Sequence, residues 1–432
     1  MPSPARLPQV VIIGGGFAGI AAARQLRRAP VEVTLLDRTN HFTFQPLLYQ
    51  VATGALAPSD ITAPIRWILR RQKNTRVLMA DVRKIDPRGR EVFIDDEMRA
   101  ISYDYLIVAP GARHAYFGHD EWEPYAPGLK AIEDASEIRR RFLLAFENAE
   151  KSENPVEREE YLTFVVVGGG PTGVELSGAF PFIARKALAP DFRAIDAGGA
   201  RVILIEAGPR ILPSFPEDLA QHAAQDLRDL GVEVRTGSTV TKVERNGVCV
   251  GDEKIRARTT FWAAGNKASS LGAFLDAPLD RAGRVQVNAD LSVPGHPEIF
   301  AVGDLAVMVQ DGRMVPNVCP AANQQGAAAA KSILRDLRHQ ARKKFRYFNK
   351  GDLATIGRSR AIADFGKVKF SGRLAWFLWL FVHIMYLVGF RNRLSVLLQW
   401  GYAYFTYQRG VRLITDVERY KPPTDQRPPS QR

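Results

Sequence analysis

Cysteine is nearly absent from this chain, and its scarcity limits the chemistry that the chain can carry. The 432 residues contain only Cys249 and Cys319, which lie far apart and form no Cys-x-x-Cys pair. A disulfide scaffold and a thiolate zinc site are therefore excluded, and the low content is typical of a reducing compartment. The seven histidines show no metal-ligand spacing, so we expect no metal site and structural roles for His41 and His383.

Long apolar runs are also lacking at the start of the sequence, so we expect no signal peptide there. The first apolar run, the four residues VVII from Val10 to Ile13, is far too short for the apolar core of a signal peptide. We therefore expect the body of the chain to lie in the cytoplasm.

Acidic residues are scarce in one part of the chain, its last quarter. Residues 331–432 hold 21 Lys and Arg against 6 Asp and Glu, so the net charge of +13 arises there. This basic excess surrounds an apolar stretch, which favours an anionic membrane surface as the partner and not a nucleic acid. The alternative is a soluble, solvated charged tail.

Two segments of the chain repeat one pattern. VVIIGGGFAGIAAARQL (residues 10–26) and FVVVGGGPTGVELSGAF (residues 164–180) each combine an apolar strand, three glycines and a helix rich in small residues. An offset of 154 residues is too large for a solenoid repeat, so two dinucleotide-binding units fit better. Strands that alternate with helices predict a doubly wound α/β fold with two Rossmann-like domains.

The first glycine loop has the spacing of a dinucleotide site. Gly14 permits the tight turn, Gly16 lets the backbone approach a pyrophosphate, and Gly19 lets helix and strand pack closely. Asp37 ends the next strand, 18 residues beyond Gly19, where an acid accepts a hydrogen bond from a ribose 2′-hydroxyl. A plain glycine-rich turn is the alternative.

The second loop repeats this arrangement with Gly168, Gly170 and Gly173. Glu206 takes the acid's place 33 residues later, after a helix-and-loop insertion. A carboxylate there binds the ribose hydroxyls of NADH and repels the 2′-phosphate of NADPH. Arg210 lies close enough in sequence to leave NADPH open.

Two dinucleotide sites suit a flavin in one domain and a nicotinamide in the other. EIFAVGD (residues 298–304) resembles the second FAD fingerprint of flavoproteins with two dinucleotide domains, in which Asp304 would bind the ribityl chain and Gly303 would allow close approach. DYLIVAPGA (residues 104–112) resembles the strand and turn that pass the flavin in that group. Asp304 as a simple turn former is the alternative.

We expect the NADH-binding domain to be inserted in the FAD-binding domain. Residues 133–150 have a helical apolar rhythm, 152–158 read as a polar linker, and AANQQGAAAAKSILRDL predicts a helix. The predicted boundaries are 1–120 and 285–345 for the FAD-binding domain, 121–284 for the NADH-binding domain, 346–420 for a membrane-docking region and 421–432 for a disordered tail.

These motifs together resemble the type II NADH dehydrogenases, single-subunit NADH:quinone oxidoreductases that do not pump protons. The likeness covers nearly the whole chain and includes NHFTFQPLLYQVATG, GGGPTGVELSGA, FNKGDLATIGRSRAIAD and AWFLWLFVHIMYLVGFRNRL. It implies FAD and NADH as cofactors, a membrane quinone as substrate, a homodimer, and docking without a span on the cytoplasmic side of the inner membrane.

The resemblance also assigns residues to three sites. It adds to the FAD site Phe17, Ala18, Arg38, Val82, Ala109 and Gly111. It adds to the NADH site Pro171, Thr172, Ala264 and Gly265. It places at the quinone site Pro46, Pro320, Ala321, Gln324 and Gln325.

Glu175 and Gln324 are the catalytic candidates that the resemblance implies. Glu175 would transfer or position a proton, with a pKa that burial raises, or it would only stabilise the first turn of its helix. Gln324 belongs to the segment that usually reads A-Q-x-x-x-Q, in which Cys319 and Pro320 replace the first Ala and Gln. That departure puts quinone recognition in question. Cys319 is expected to be a packed residue and not a nucleophile.

Two other functions remain open. One is a soluble flavin reductase that passes electrons to ferredoxin or another acceptor, and the other is a non-catalytic FAD- or NADH-binding protein. The absence of a cysteine pair in HFTFQPLLYQ argues against disulfide reductases and sulfide:quinone oxidoreductases.

One uncharged run, residues 374–390, could span a membrane, lie on it or be core. Its 17 residues would extend about 26 Å as a helix, at the short edge of what a bilayer requires. A second uncharged segment, residues 394–408, contains Gln399 and several aromatic residues. We therefore predict an interfacial hairpin, flanked by arginines that reach anionic lipid.

Overall fold

The larger of two Rossmann-like sheets combines strands from distant parts of the chain. In the computed structural model, which describes residues 6–406 and 412–414, this sheet has six strands. Their order is Ser292–Val293, His296–Ala301, Tyr105–Val108, Gln9–Ile13, Glu32–Asp37 and Thr75–Met79. All pairs are parallel except the first. The strand at 296–301 follows the second unit in sequence but belongs to the first sheet, which confirms the predicted insertion of the second unit in the first.

The second sheet has four parallel strands and forms the inserted unit. Their order is Val232–Arg235, Arg201–Ile205, Thr163–Val167 and Thr259–Trp262. Thr163–Val167 is buried at every position, as expected for a parallel strand that is covered on both faces. The exact domain boundaries stay a prediction.

Each unit carries a three-stranded antiparallel sheet, and short strand pairs connect neighbouring segments. The three-stranded sheets contain Val82–Asp86, Glu91–Ile94 and Arg99–Ser102, and Val240–Glu244, Gly247–Val250 and Glu253–Arg256. The pairs are His41–Thr43 with Thr62–Pro64, Ala112–His114 with Asn266–Ala268, Val285–Gln286 with Ala306–Val307, and Val309–Gln310 with Arg313–Met314.

Eleven α-helices lie in the part of the chain that the structure describes. They are α1 (Phe17–Gln25), α2 (Leu48–Ala52), α3 (Pro58–Ile61), α4 (Ile65–Leu69), α5 (Ile132–Lys151), α6 (Pro155–Tyr161), α7 (Pro171–Phe182), α8 (Glu217–Asp229), α9 (Cys319–Asp336), α10 (Gly372–Tyr386) and α11 (Phe390–Thr406). The predicted linker 152–158 is partly wrong, because Asn154 caps α6 and Pro155 occupies its first turn.

The C-terminal region contains a sheet that the sequence analysis did not predict. Its antiparallel strands are Asp352–Gly357, Arg360–Asp364 and Lys369–Ser371. The uncharged run then forms α10 but turns at Gly389, which has a φ of 90°, before α11 begins. None of the helices in the described residues has the length and apolar character needed to cross a membrane. The predicted disordered tail, 421–432, lies outside the described residues.

Candidate functional site

The first glycine loop is held in shape by sterics that only glycine satisfies. Gly14 has a φ of 97°, and a Cβ there would lie 2.1 Å from the carbonyl oxygen of Ala109. A Cβ on Gly19 would lie 1.8 Å from the carbonyl oxygen of Gly14. A Cβ on Gly16, in contrast, would meet no atom within 4 Å. A side chain at Gly14 or Gly19 would therefore collide with the backbone, whereas Gly16 leaves open space at the start of α1 for a pyrophosphate.

The second loop repeats these contacts. Gly168 has a φ of 108°, and a Cβ there would lie 2.6 Å from the backbone nitrogen of Ala264. A Cβ on Gly173 would lie 1.9 Å from the carbonyl oxygen of Gly168, and one on Gly170 would again meet nothing within 4 Å. The two units therefore present the same phosphate-binding geometry. Ala264 lies against this loop, and the neighbouring Gly265 is exposed with a φ of 74°.

Each predicted ribose-binding acid contacts the middle glycine of its loop. The backbone N–H of Gly15 donates to Asp37 at 2.6 Å. The backbone N–H of Gly169 donates to Glu206 at 2.5 Å. Both carboxylates therefore stand beside the turn where a bound dinucleotide would place its ribose.

Arg210 is directed away from the acid of the second loop. Its guanidinium donates to the carbonyl oxygens of Phe215 at 2.8 Å and Pro213 at 3.2 Å. An arginine bound to its own loop does not face the place where the 2′-phosphate of NADPH would lie. This arrangement favours NADH.

The FAD fingerprint and the strand-turn at residues 109–112 meet beside the first loop. The backbone N–H of Ala112 donates to the Asp304 carboxylate. Gly303 has a φ of 67°, and its N–H donates to Oε1 of buried Gln325 at 2.6 Å. The structure therefore brings the Gly303–Asp304 pair together with Gln325 and with Gly14, which lies far away in sequence.

A half-buried lysine that the sequence analysis missed, Lys130, lies beside Asp304. Burial raises the pKa of Asp304, and the positive charge of Lys130 partly opposes this rise. Burial lowers the pKa of Lys130, while Asp304 and Asp134 raise it. Burial raises the pKa of Cys319 to about 12, with a further contribution from Asp304. The Cys319 thiol is therefore protonated at neutral pH, in keeping with a packed residue and not a nucleophile.

The other predicted FAD residues lie around this loop with different exposure. Ala18 is buried, and a Cβ on Gly326 of α9 would lie 2.0 Å from its carbonyl oxygen. Val82 pairs with Ile94 in the antiparallel sheet, and Arg38 is exposed after Asp37. The local sequence does not predict which of these residues are buried and which are exposed, because the burial of each depends on residues that are distant in sequence.

Glu175 belongs to α7, directly after the second glycine loop. Burial raises its pKa well above the ordinary value, and the backbone N–H of Thr355 partly opposes this rise. Thr355 comes from the C-terminal sheet, so α7 and that sheet are in direct contact. Two residues at the start of α7, exposed Pro171 and half-buried Thr172, complete the predicted NADH set.

Gln324 and Gln325 have different partners although they are adjacent. The Gln324 amide accepts from the backbone N–H of Phe348 at 2.9 Å and donates to its carbonyl oxygen at 3.0 Å. These two hydrogen bonds hold the backbone at Phe348, which leads into the C-terminal region. They leave one N–H of the Gln324 amide for another acceptor. Gln325, at 3% exposure, is the glutamine that the structure places at the FAD fingerprint.

Pro320 and Ala321 lie in the first turn of α9, next to Cys319. Pro320 is half-buried and Ala321 is buried. A proline fits this turn because its missing N–H has no helical partner there. The replacement of the family's glutamine by Pro320 therefore keeps the helix but removes an amide.

An aromatic cluster connects the first loop to α10. Phe17 packs against Phe44 at a centroid distance of 5.9 Å, and Phe44 against His383 at 6.2 Å. His383 stacks on Trp379 at 4.1 Å, and its Nδ1 is 2.7 Å from the Trp379 carbonyl oxygen. Burial lowers the pKa of His383 to about 4, so the imidazole is neutral at physiological pH. The predicted quinone residue Pro46 is half-buried in the turn after Phe44.

Helix α11 is also hydrogen-bonded to the segment that follows the first loop. Trp400 Nε1 donates to Oε1 of buried Gln50 at 2.7 Å. Asn392 donates to the Thr62 carbonyl oxygen at 3.0 Å. The helices α10 and α11 therefore lie against the FAD-binding unit along one side.

Comparisons with known proteins agree with this arrangement. The model of the pyridine nucleotide-disulphide oxidoreductase family matches residues 8–326, and the model of the NDH2 C-terminal domain matches residues 349–407. In Mycobacterium tuberculosis, the type II NADH:quinone oxidoreductase Ndh is 45% identical over 96% of this chain and 92% of the relative. NdhA, of the same description and organism, is 46% identical over 95% and 90%. A solved structure of NDH2 from Plasmodium falciparum in complex with NADH shares the fold, with a TM-score of 0.86 at 21% identity over 94% of this chain and 100% of that chain.

Proposed function

This chain belongs to the family of type II NADH:quinone oxidoreductases, and from that premise we propose how its own residues serve the reaction. The activity is FAD-dependent oxidation of NADH with reduction of a quinone, without proton pumping. The observation that carries the assignment of roles is the pair of matching glycine loops, each with an acid at its middle glycine.

The first loop holds FAD. The open space at Gly16 and the N-terminus of α1 receive the pyrophosphate, Asp37 receives the ribose, and Asp304 binds the ribityl chain. Lys130 balances the charge of Asp304 in this buried place. The chemistry that FAD supplies when bound is two-electron transfer from a nicotinamide to a quinone.

The second loop holds NADH. Gly170 leaves space for the pyrophosphate, and the Glu206 carboxylate accepts hydrogen bonds from the ribose hydroxyls. Because Arg210 is bound to its own loop, nothing at this position favours the extra phosphate of NADPH. The site therefore selects NADH.

Glu175 holds or delivers a proton for quinone reduction. A carboxyl whose pKa is raised by burial keeps its proton nearer to neutral pH, where it can act as a general acid. Quinone reduction requires two protons as well as two electrons, so such a group has a use here. Its contact with Thr355 keeps the carboxyl turned towards the C-terminal sheet.

The quinone reaches the FAD site beside the aromatic cluster. Phe44, His383 and Trp379 form an apolar wall between the first loop and α10, and this wall suits an apolar ring. We assign Gln325, at the FAD fingerprint, and the remaining N–H of Gln324 to the flavin end of that route. Pro320 lines the same end of α9 without an amide of its own.

The outer faces of α10 and α11 dock on the membrane. These helices expose large apolar side chains, among them Phe377, Phe381, Phe390, Leu398 and Phe405 at 58–80% exposure. A face of this size next to Arg373, Arg391 and Arg393 fits an anionic lipid surface. Because NADH is supplied in the cytoplasm, we place this face on the cytoplasmic side of the inner membrane.

One experiment tests the redox assignment. Purified FAD-loaded protein is reduced with NADH under anaerobic conditions and then reoxidised with short-chain quinones or with ferredoxin. We expect fast reoxidation by a quinone and slow reoxidation by ferredoxin. The opposite order would favour the soluble flavin reductase, and a flavin that NADH does not bleach would favour a non-catalytic binding protein.

The docking face and the oligomer have separate tests. Cosedimentation with lipid vesicles is expected for the intact chain and is expected to weaken for Phe381→Asp. Light scattering tests the proposed homodimer, for which two chains per particle are expected.

A further inference from the structure

A basic groove lies beside the C-terminal half of α9 and the C-terminal end of α1. It has a volume of about 730 Å³ between the C-terminal half of α9 and the segment at residues 340–346. Six cationic side chains line it, and none of the lining residues is acidic. They are Lys331, Arg335, Arg338, Lys343, Lys344 and Arg346.

Three acids in this part of the chain are paired, two of them with a cation outside the groove and one with a groove cation. Arg342, which does not line the groove, binds Asp336 at 2.5 Å and Asp290 at 3.0 Å. Arg346 binds Asp311 at 3.1 Å in an exposed pair. The groove therefore keeps an uncompensated positive potential.

Four of the six cations have no acidic partner in the described part of the chain. They are Lys331, Arg338, Lys343 and Lys344, and all four are exposed. Lysine and arginine on opposite walls suit a phosphate, which accepts hydrogen bonds from several directions.

The groove continues into the proposed docking face. Gln324 lines the groove and binds the backbone of Phe348, whose side chain is 70% exposed. Two residues later, Lys350 donates to the Tyr386 hydroxyl at 3.0 Å, at the end of α10. Phosphates at the level of the lipid headgroups are therefore the anions that this groove would meet when α10 lies on a membrane.

The floor of the groove is partly apolar. Ala327, Ala328 and Leu334 contribute to its lining. A lipid fits such a groove, because its anionic headgroup can contact the basic rim while the first part of its acyl chain contacts the apolar floor. A small inorganic anion would use the rim alone.

We propose that this groove binds the phosphate headgroup of an anionic phospholipid in the membrane on which the chain docks. The proposal rests on the docking face of the proposed function. It assigns to α9 and residues 340–346 a lipid contact separate from the apolar faces of α10 and α11.

The test compares two double variants of the full-length, FAD-loaded protein. Lys343→Gln with Lys344→Gln removes two groove charges. Lys151→Gln with Arg245→Gln removes two exposed charges from the NADH-binding unit and serves as the matched control. Partition coefficients are measured on phosphatidylcholine vesicles and on the same vesicles doped with phosphatidylglycerol.

We expect the groove variant to lose at least about tenfold in partition on the doped vesicles, because each cation near an anionic surface contributes about a fivefold change. We expect no change on neutral vesicles, a smaller change for the control, and unchanged NADH oxidation with a soluble quinone for both. Equal partition of the groove variant and the control on doped vesicles would overturn the proposal while leaving docking intact. Failure of the unaltered protein to bind any vesicle would instead overturn the docking face.

Soluble phosphate is the other source of the same chemistry. Thermal unfolding is therefore followed with inorganic phosphate and with sulfate at matched ionic strength. Stabilisation by phosphate that the groove variant loses, together with unchanged partition on doped vesicles, would assign the groove to a soluble anion and overturn the lipid assignment.

Discussion

Gly178 offers a sharp test of how the NADH-binding unit contacts the C-terminal sheet. It lies in α7, and a Cβ at this position would be 1.6 Å from the carbonyl oxygen of Ile356. Ile356 follows Thr355, whose backbone N–H donates to Glu175. A single methyl group at Gly178 must therefore displace the strand that holds the Glu175 carboxyl.

The magnitude for Gly178→Ala follows from two opposing effects. Alanine is favoured over glycine in a helix by about 1 kcal/mol. Restoring van der Waals distance requires the Ile356 carbonyl to retreat by about 1.5 Å, and overpacking of this kind costs about 1–3 kcal/mol, and more where backbone must move. We expect a net loss of about 1–2 kcal/mol in the free energy of unfolding and a lower Tm.

The assay pairs thermal unfolding with two rates. The rate of flavin bleaching by NADH should be nearly unchanged, because the glycine loop lies about two helical turns away. The rate of quinone reduction should fall, because Glu175 loses its backbone partner.

Gly401→Ala is the matched control for Gly178→Ala. Gly401 is also helical, in α11, but a Cβ there would meet no atom within 4 Å. This variant should gain about 1 kcal/mol in the free energy of unfolding, and its rates of flavin bleaching and quinone reduction should not change. If Gly178→Ala raised the Tm as Gly401→Ala does, the close contact between α7 and the C-terminal strand would be refuted.

Substitutions at four further positions probe single groups. Glu206→Arg should raise the KM for NADH at least about tenfold and favour NADPH, whereas Glu206→Gln, which keeps one acceptor for Gly169, should do less; unchanged cofactor preference would remove Glu206 from the ribose site. Burial raises the pKa of Glu175 well above 4.5 in the folded chain, so its contribution to the free energy of unfolding falls as the pH rises through that pKa. The gain in Tm from Glu175→Gln should therefore grow with pH. A gain that did not change with pH would contradict the raised pKa of this carboxyl. Burial lowers the pKa of His383 from 6.5 to about 4, so this residue contributes up to about 3 kcal/mol to the free energy of unfolding, which is lost as the pH falls from 6.5 to 4. His383→Phe should therefore remove this pH dependence from the free energy of unfolding measured with a chemical denaturant. An unchanged pH dependence would mean that other groups cause it. Pro320→Gln should raise quinone turnover by restoring an amide, and no change would mean that the site recognises quinone otherwise.

The two dinucleotide loops could be predicted from sequence because their geometry is local. The spacing of Gly14, Gly16 and Gly19 requires a turn, an open approach and a close crossing, and the contacts of these residues agree with each requirement. The acids could be predicted as well, because each ends the strand adjacent to its loop. The insertion of one unit in the other followed from the return of strand pattern near residue 285.

The remaining features depend on contacts between distant residues. Lys130 and Asp304 are separated by 174 positions, and no periodicity links them. The strand at residues 352–357 has only partial burial, and its buried positions depend on packing against α7. Helical spacing alone does not reveal that Gln325 faces the fingerprint while Gln324 binds Phe348, because both lie on a helix with several covered sides.

The two loops are nearly equal in geometry, so the difference between the two cofactor sites must come from their neighbours. The second loop is followed by α7, whose Glu175 and Gly178 contact the C-terminal strand at Thr355 and Ile356. The first loop is followed by Phe17, from which aromatic contacts lead to His383 of α10.

One C-terminal region therefore contacts both halves of the redox pair, the NADH side through its sheet and the FAD side through its helices. Under the roles that we propose, a membrane on α10 and α11 would contact the helices that form the wall of the quinone route, and the strand beside Glu175 belongs to the same C-terminal region. We therefore expect docking and proton delivery to be coupled by packing. Separate substitutions at Gly178 and at the outer face of α10 should affect quinone reduction in a non-additive way.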